Sequence, residues 1–499
     1  MGNRKIGRLM REAVHWTVMG LVATVVVACG GGGSSTSAPA TSTAMFSTGA
    51  VTGFGSVHLN GKKFDTSNAK IVVNGQSGTQ GDLHVGDVVQ VKAHHDATTG
   101  KDVADEVDFR ANVRGPLQSI DATPPTDSSV THVLVVLGQT VLVSADTSFG
   151  DTISKPFAGG LKVGAILEVS GYPKPNGDIV AMRIELKPAG TSFEVLGSVS
   201  KTDSMLHTFQ INALVVDYSA ASLQNFQSGG PADNLVVEAT GTTLGASGQL
   251  LASQVEALTG QEMKADVDAD AEYEGPVTRY ASAADFDVAG RKVTTNGSTV
   301  YVGGMATDLA TPFIRVEVEG SVDSTGTLVA SKVQFEHSAT VRIRAQVDAI
   351  DTTMTPNTLT VLGMKVTVTD LTRFEDRSMD HVVTFSLTDL KKGDWIEVRG
   401  MESPAGSNQL TANRIERLQT QSMVELRGPV KSEAAPQFTI LAVPVNTTSS
   451  TVFTDAMGMS TNATAFFTGL VGQLADAVGT WDGTTLTAQS ATLSNQQED

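Results

Sequence analysis

The sequence predicts an all-β protein, a tandem array of about six small five-stranded β-barrels (OB-like or SH3-like) behind an export signal and a flexible linker. Three observations predict it. Apolar residues alternate with polar ones, as at Phe209, Ile211, Ala213 and Val215, and Gly, Asn and Asp break the runs into strand-sized pieces. Val and Thr, which favour pleated strands, are abundant, and no long helical stretch follows the N-terminal segment. Finally, a chain of roughly 470 residues beyond that segment is too long for one core, and internal repetition divides it.

The clearest repeated unit is apolar–acidic–apolar–x–Gly. It occurs as Leu167-Glu168-Val169-Ser170-Gly171, Val237-Glu238-Ala239-Thr240-Gly241, Val316-Glu317-Val318-Glu319-Gly320 and Ile396-Glu397-Val398-Arg399-Gly400. Successive glutamates are 70, 79 and 80 residues apart. Val89-Gln90-Val91 is a first copy, and Ala475-Asp476-Ala477-Val478-Gly479 a degenerate last one. A second mark follows: Gly177, Ala181 and Ile184, repeated at Gly248, Ala252 and Val255, at Gly326, Ala330 and Val333, and at Gly100, Ala104 and Val107. A third mark opens most copies, as in Val113-Arg114-Gly115, Val195-Leu196-Gly197, Glu274-Gly275-Pro276 and Leu426-Arg427-Gly428, with Ala345 replacing the glycine in the fifth. The repeats are therefore placed at 49–110, 111–188, 189–262, 263–337 (with an acidic linker), 338–419 and 420–499.

Each repeat reads as an opening strand, a hairpin pair, the acidic strand and the Gly-x-x-x-Ala strand. Five short strands hide their edges by curling into a barrel; an open sandwich is the alternative. In strand alternation the repeated glutamate points away from its apolar neighbours, which predicts a solvated, solubilising charge. Gly53-Phe54-Gly55-Ser56-Val57, Phe64-Asp65-Thr66 and Leu83-His84-Val85-Gly86-Asp87 resemble the opening of DUF5666, a domain of unknown function found in exported proteobacterial proteins. The resemblance covers nearly all of residues 49–497 and implies a fold and an exported address, but no chemistry.

The N-terminus supplies the rest of the address. Arg4, Lys5, Arg8 and Arg11 precede an apolar stretch of 13 residues, Trp16 to Ala28, too short for the roughly 20 that a membrane span needs and suited to an export signal over residues 1–28. Val26-Val27-Ala28-Cys29 resembles a bacterial lipobox, which implies cleavage after Ala28 and acylation of Cys29, the only cysteine in the chain. An ordinary secretory signal is the alternative. One cysteine excludes an internal disulfide framework. Residues 29–48, beginning Cys29-Gly30-Gly31-Gly32-Gly33-Ser34, read as a flexible tether. By resemblance to enterobacterial sorting, Gly30 in place of Asp favours the outer membrane. Removing the signal takes the formal charge from −18 to −21, which argues against nucleic-acid partners.

Chemistry is sparse. Asp266, Asp268, Asp270 and Glu272 alternate and could share a calcium ion, but Ala271 stands where a calcium loop needs Gly, and a solvated acidic linker is the simpler reading. His94-His95-Asp96 falls in a predicted hairpin loop without the further ligands of a zinc site. There is no nucleophile elbow and no Gly-rich phosphate loop, so no catalytic residue, cofactor or resident metal is assigned. Trp395 and Trp481 are expected in cores. The leading expectation is a non-catalytic envelope binding or scaffold protein, its extended modules gaining avidity for an envelope protein or polymer. A hydrolase of an envelope polymer and a purely architectural or adhesive protein are the alternatives.

Overall fold

The computed structural model describes residues 43–121, 130–153, 155–227, 229–258, 263–353 and 355–494. The segment 1–28 expected to be an export signal, Cys29 and most of the proposed tether lie outside them. The tether reading is shortened at its end, because Thr43–Ala50 is already a strand whose residues from Met45 onward are buried.

Repeat 2 shows the common plan. Val113–Asp121 pairs with His132–Val136, which pairs with Gln139–Val143; Gln139–Val143 runs parallel to Ile179–Lys187, which pairs with Ile166–Pro173, and that strand returns to Val113–Asp121. The sheet closes in the order first, second, third, fifth, fourth, first, an OB-like barrel. Repeats 4, 5 and 6 close by the same order, and so does repeat 3, whose opening strand is interrupted at Val199. Repeat 1 closes through the Gly53–His58 bridge. Inside repeat 2 the alternating residues Val113, Leu117, Leu134, Val136, Leu167 and Val169 are fully buried together. Trp395 and Trp481 pack against the core of repeats 5 and 6, as expected.

The repeated glycine has a steric cause. The fourth and fifth strands slip register at Ser170/Gly171, Thr240/Gly241, Glu319/Gly320, Arg399/Gly400 and Val478/Gly479. At this bulge the facing backbone comes so close that a Cβ on Gly171, Gly320, Gly400 or Gly479 would overlap the carbonyl oxygen of Val180, Val329, Thr411 or Thr487.

The barrels of the tandem array are not separate beads, so the extended modules on which the avidity expectation rested are not what the chain forms. They join in three pairs through their opening strands. Repeats 2 and 3 pair antiparallel (Val113 opposite Val195) and share one apolar core; repeats 5 and 6 do the same (Ile343 opposite Leu426). Repeats 1 and 4 pair in parallel, Met45 opposite Asp270 through Thr48 opposite Tyr273. A parallel pair needs a long crossover, and here repeats 2 and 3 are the crossover. Phe46 of repeat 1 inserts into the core of repeat 4, edge-on to Tyr273 at 6.1 Å.

Candidate functional site at the four-repeat junction

The first correction to the site reading concerns the repeated acid. Glu168, Glu238, Glu317 and Glu397 do point away from the barrel cores, but all four are buried. Their outward face is covered by a neighbouring strand or barrel, so the alternation was read correctly and the solvent was not there. Glu168 meets Arg114 at 3.0 Å and Lys187 at 2.8 Å, and Arg114 also reaches Glu194 of repeat 3 at 2.6 Å. Glu238 takes Arg110 at 2.7 Å. Glu397 is held by Arg344 and Arg399, with Arg414 at 3.7 Å. In the last copy Asp476 meets Arg342 of repeat 5 at 3.1 Å, and in the first Gln90 accepts from Arg291 of repeat 4 at 2.8 Å.

The calcium candidates are not gathered into a site. Asp266 is exposed, 3.8 Å from Lys92; Asp268 precedes the opening strand of repeat 4, and Asp270 begins it, exposed. Glu272 is buried and paired with Lys62 of repeat 1 at 2.6 Å. Among the described residues no group of three or more His, Cys, Asp or Glu is arranged to hold a metal ion. His94 and His95 sit on the strand Val88–Asp96 rather than in the loop after it, bonded to Asp105 (2.9 Å) and Asp102 (2.7 Å).

What the repeat motifs did not foretell is a junction of repeats 1, 2, 4 and 5. The segment Ala145–Phe149 of repeat 2 has four backbone carbonyls taken by arginines of repeat 5. Arg399 donates to Ala145 O (3.0 Å), Arg373 to Asp146 O (2.8 Å), Arg414 to Thr147 O (3.0 Å) and Arg377 to Phe149 O. Arg183 of repeat 2 reaches Val85 O of repeat 1 (2.8 Å) and Glu375 of repeat 5 (3.2 Å). Burial opposes the charge of Glu375, but Arg377 and Arg183 outweigh it and hold its carboxyl at about 2.

At the centre, Arg315 of repeat 4 gathers three carboxylates: Glu336 at 2.5 Å, Glu274 at 2.9 Å and Asp146 of repeat 2 at 3.5 Å. Burial, with Glu274 and Asp146 alongside, pushes the Glu336 carboxyl up to about 7 against the pull of Arg315. Two cavities flank this group and share Arg315, Glu336 and His337 as a wall. One, of about 290 Å³, lies between repeats 2 and 4 and includes Tyr172, Met182 and Phe313. The other, of about 240 Å³, is bounded by repeats 1, 4 and 5 and includes Phe335, Leu371, Arg373 and Met401. Concave sites with a few convergent polar groups and a shifted carboxyl are the usual form of a ligand site. Asp146, Arg315, Glu336 and Arg373 carry no repeat signature. The one signal available was the density of arginine in repeat 5, which holds seven of the chain's 17.

The family comparison agrees with the barrel count almost completely. The model of the domain of unknown function DUF5666 matches residues 48–108, 114–185, 274–334, 344–416 and 427–491. Repeat 3 falls between the second and third matches, yet it forms the same barrel. No curated protein matches the chain. With five matched repeats spanning well over half of its length, the chain belongs to the DUF5666 family.

Proposed function

We propose that this protein is a lipid-anchored component of the bacterial cell envelope, held through Cys29 to the outer membrane, that acts as a non-catalytic binding or scaffold body. The observation that supports it best is the use of the repeated acid. In repeat after repeat, the charged position shared by the copies joins one strand or barrel to another instead of facing a substrate. Repetition here builds a single surface from many modules. The avidity argument accordingly gives way to one partner docking on a body of fixed geometry. Thr43 opens the first described strand only 14 residues after Cys29, so an acylated Cys29 would join the barrels to the lipid through a short segment.

The test is cross-linking in intact cells, comparing the tagged wild type with Cys29→Ala. One defined partner captured only by the wild type, which fractionates with membranes, is the expected result. A wild type found in the soluble fraction overturns the anchor. A membrane-bound wild type that captures nothing favours a purely architectural role.

A hydrolase remains the second reading because of one observation. Glu336, with its raised carboxyl, lies beside Glu274 and Asp146, and carboxyls with separated pKa values can divide acid and base roles. Release of fragments from isolated envelope polymer by the wild type, lost in Glu336→Gln, would establish it.

A further inference from the structure

Arg373 stands apart from the other arginines of the junction. It begins the short strand Arg373–Asp376, is 4% exposed, and makes one hydrogen bond, from Nη2 to Asp146 O at 2.8 Å. Its neighbours each hold a carboxylate: Arg315 has Glu274 at 2.9 Å, Arg377 has Glu375 at 3.3 Å, Arg399 has Glu397 at 2.5 Å and Arg414 has Glu416 at 3.2 Å. Arg373 has none within ion-pair distance among the described residues, and its Nη1 is a buried donor without a partner there. A guanidinium out of water without an ion-paired carboxylate is costly; Asp146, Glu274 and Glu336 attract it only from longer range, and its unpartnered Nη1 calls for an explanation.

The place of Arg373 supplies one. It lines the cavity of about 240 Å³ between repeats 1, 4 and 5. The wall around it is mixed: Val302, Phe335, Leu371 and Met401 supply an apolar part, and Glu274, Arg315, Gln334, Glu336 and Asn413 a polar one. We propose that this cavity binds a small organic monocarboxylate, whose carboxylate pairs with the Arg373 guanidinium and whose hydrocarbon body lies against Phe335, Leu371 and Met401. An apolar cavity of about 150 Å³ accepts benzene, so a cavity of about 240 Å³ has room for one small ring bearing a carboxylate. The charge of the wall selects a monoanion over a dianion such as phosphate, because Glu274 and Glu336 line the same cavity. Three repeats contribute to the site, so it exists only in the assembled body. It does not depend on the membrane address or on what docks outside.

The experiment is calorimetric titration of the detergent-solubilised full chain with benzoate and with butyrate, and with inorganic phosphate as a comparison. Saturable binding of one equivalent of benzoate or butyrate is expected, with phosphate much weaker. Arg373→Met is expected to weaken that binding about tenfold or more, the loss of one charge-assisted hydrogen bond. Leu371→Trp, which fills the cavity and leaves Arg373 in place, is expected to abolish it even if Arg373→Met does not fold. The idea is overturned by failure of both carboxylates to bind at millimolar concentration, by phosphate binding more tightly than either, or by unchanged affinity in the Leu371→Trp protein.

Discussion

The seam between repeats 5 and 6 and the seam between repeats 1 and 4 bury the same repeated acid in opposite states. At the first, the strands run antiparallel and the cations are arginines. Burial would raise the Glu397 carboxyl, but Arg399, Arg344, Arg342 and Arg414 outweigh it and hold it well below the usual carboxylate range. At the second, the strands run parallel and the cations that reach Glu317 and Glu272 are lysines. Lys332 is 3.5 Å from Glu317 and is shared with Glu319 at 2.5 Å, while Lys62 serves Glu272. There burial prevails, and Glu317 is pushed up to about 9 and Glu272 to about 7. Guanidinium forks engage two or three oxygens at once and tolerate desolvation better than a single ammonium. The acidic position is therefore shifted in either direction, and the type of cation alone does not set which: Glu238 beside Arg110 and Asp476 beside Arg342 are raised by burial, whereas Lys187 and Arg114 together hold Glu168 low.

The largest expected effect lies at the arginine-rich seam. Glu397→Ala leaves Arg399, Arg344 and the buried Arg414 short of their counter-charge and should destabilise the protein by about 3–5 kcal/mol in denaturant unfolding; an effect as small as that of an exposed glutamate would break the comparison. Next come Gly320→Ala and Gly400→Ala, one in each of these barrel pairs. Both put a Cβ onto a facing carbonyl, and each should cost about 1–3 kcal/mol. Because the bulge is common to the two, the costs should be alike, and a large gap between them would mean that the barrels differ in more than their cations.

Smaller, and of opposite sign, is the effect of Glu317→Gln. A carboxyl raised from 4.5 to about 9 contributes fully below pH 4.5, and that contribution is lost progressively as pH rises toward 9. The amide cannot ionise, so the variant should be near neutral at pH 4.5 and stabilising by about 1 kcal/mol or more at pH 8. For Glu397 the sign reverses, since its stabilisation is present above pH 4.5 and is lost only as pH falls through its depressed value. Melting temperature against pH for both Glu→Gln variants checks the pair. Parallel curves would contradict the assignment.

Much of this fold was legible in the sequence. Period-two alternation gave the strands, and the 70–80 residue spacing gave the six barrels, including repeat 3, which the family model leaves out. The direction of each acidic side chain was legible too. What covers it was not, because the cover comes from elsewhere in the chain: Glu425 beside Arg344 lies 81 residues away, and Glu272 beside Ser47 lies 225 away. A single chain pattern shows which face of a strand is polar, and only the assembled barrels show whether that face is wet. The same holds for Arg373 and Glu336, which are ordinary charges in their own strands and become a site only where repeats 1, 2, 4 and 5 meet.

The most direct test is a titration by carbon NMR of the protein labelled at glutamate side-chain carboxyls, with Glu317→Gln and Glu397→Gln used to assign the two resonances. The account expects Glu317 to titrate far above the usual carboxylate range, near 9, and Glu397 to stay ionised until the protein unfolds in acid. Two resonances that both titrate between about 4 and 5, as exposed glutamates do, would contradict it.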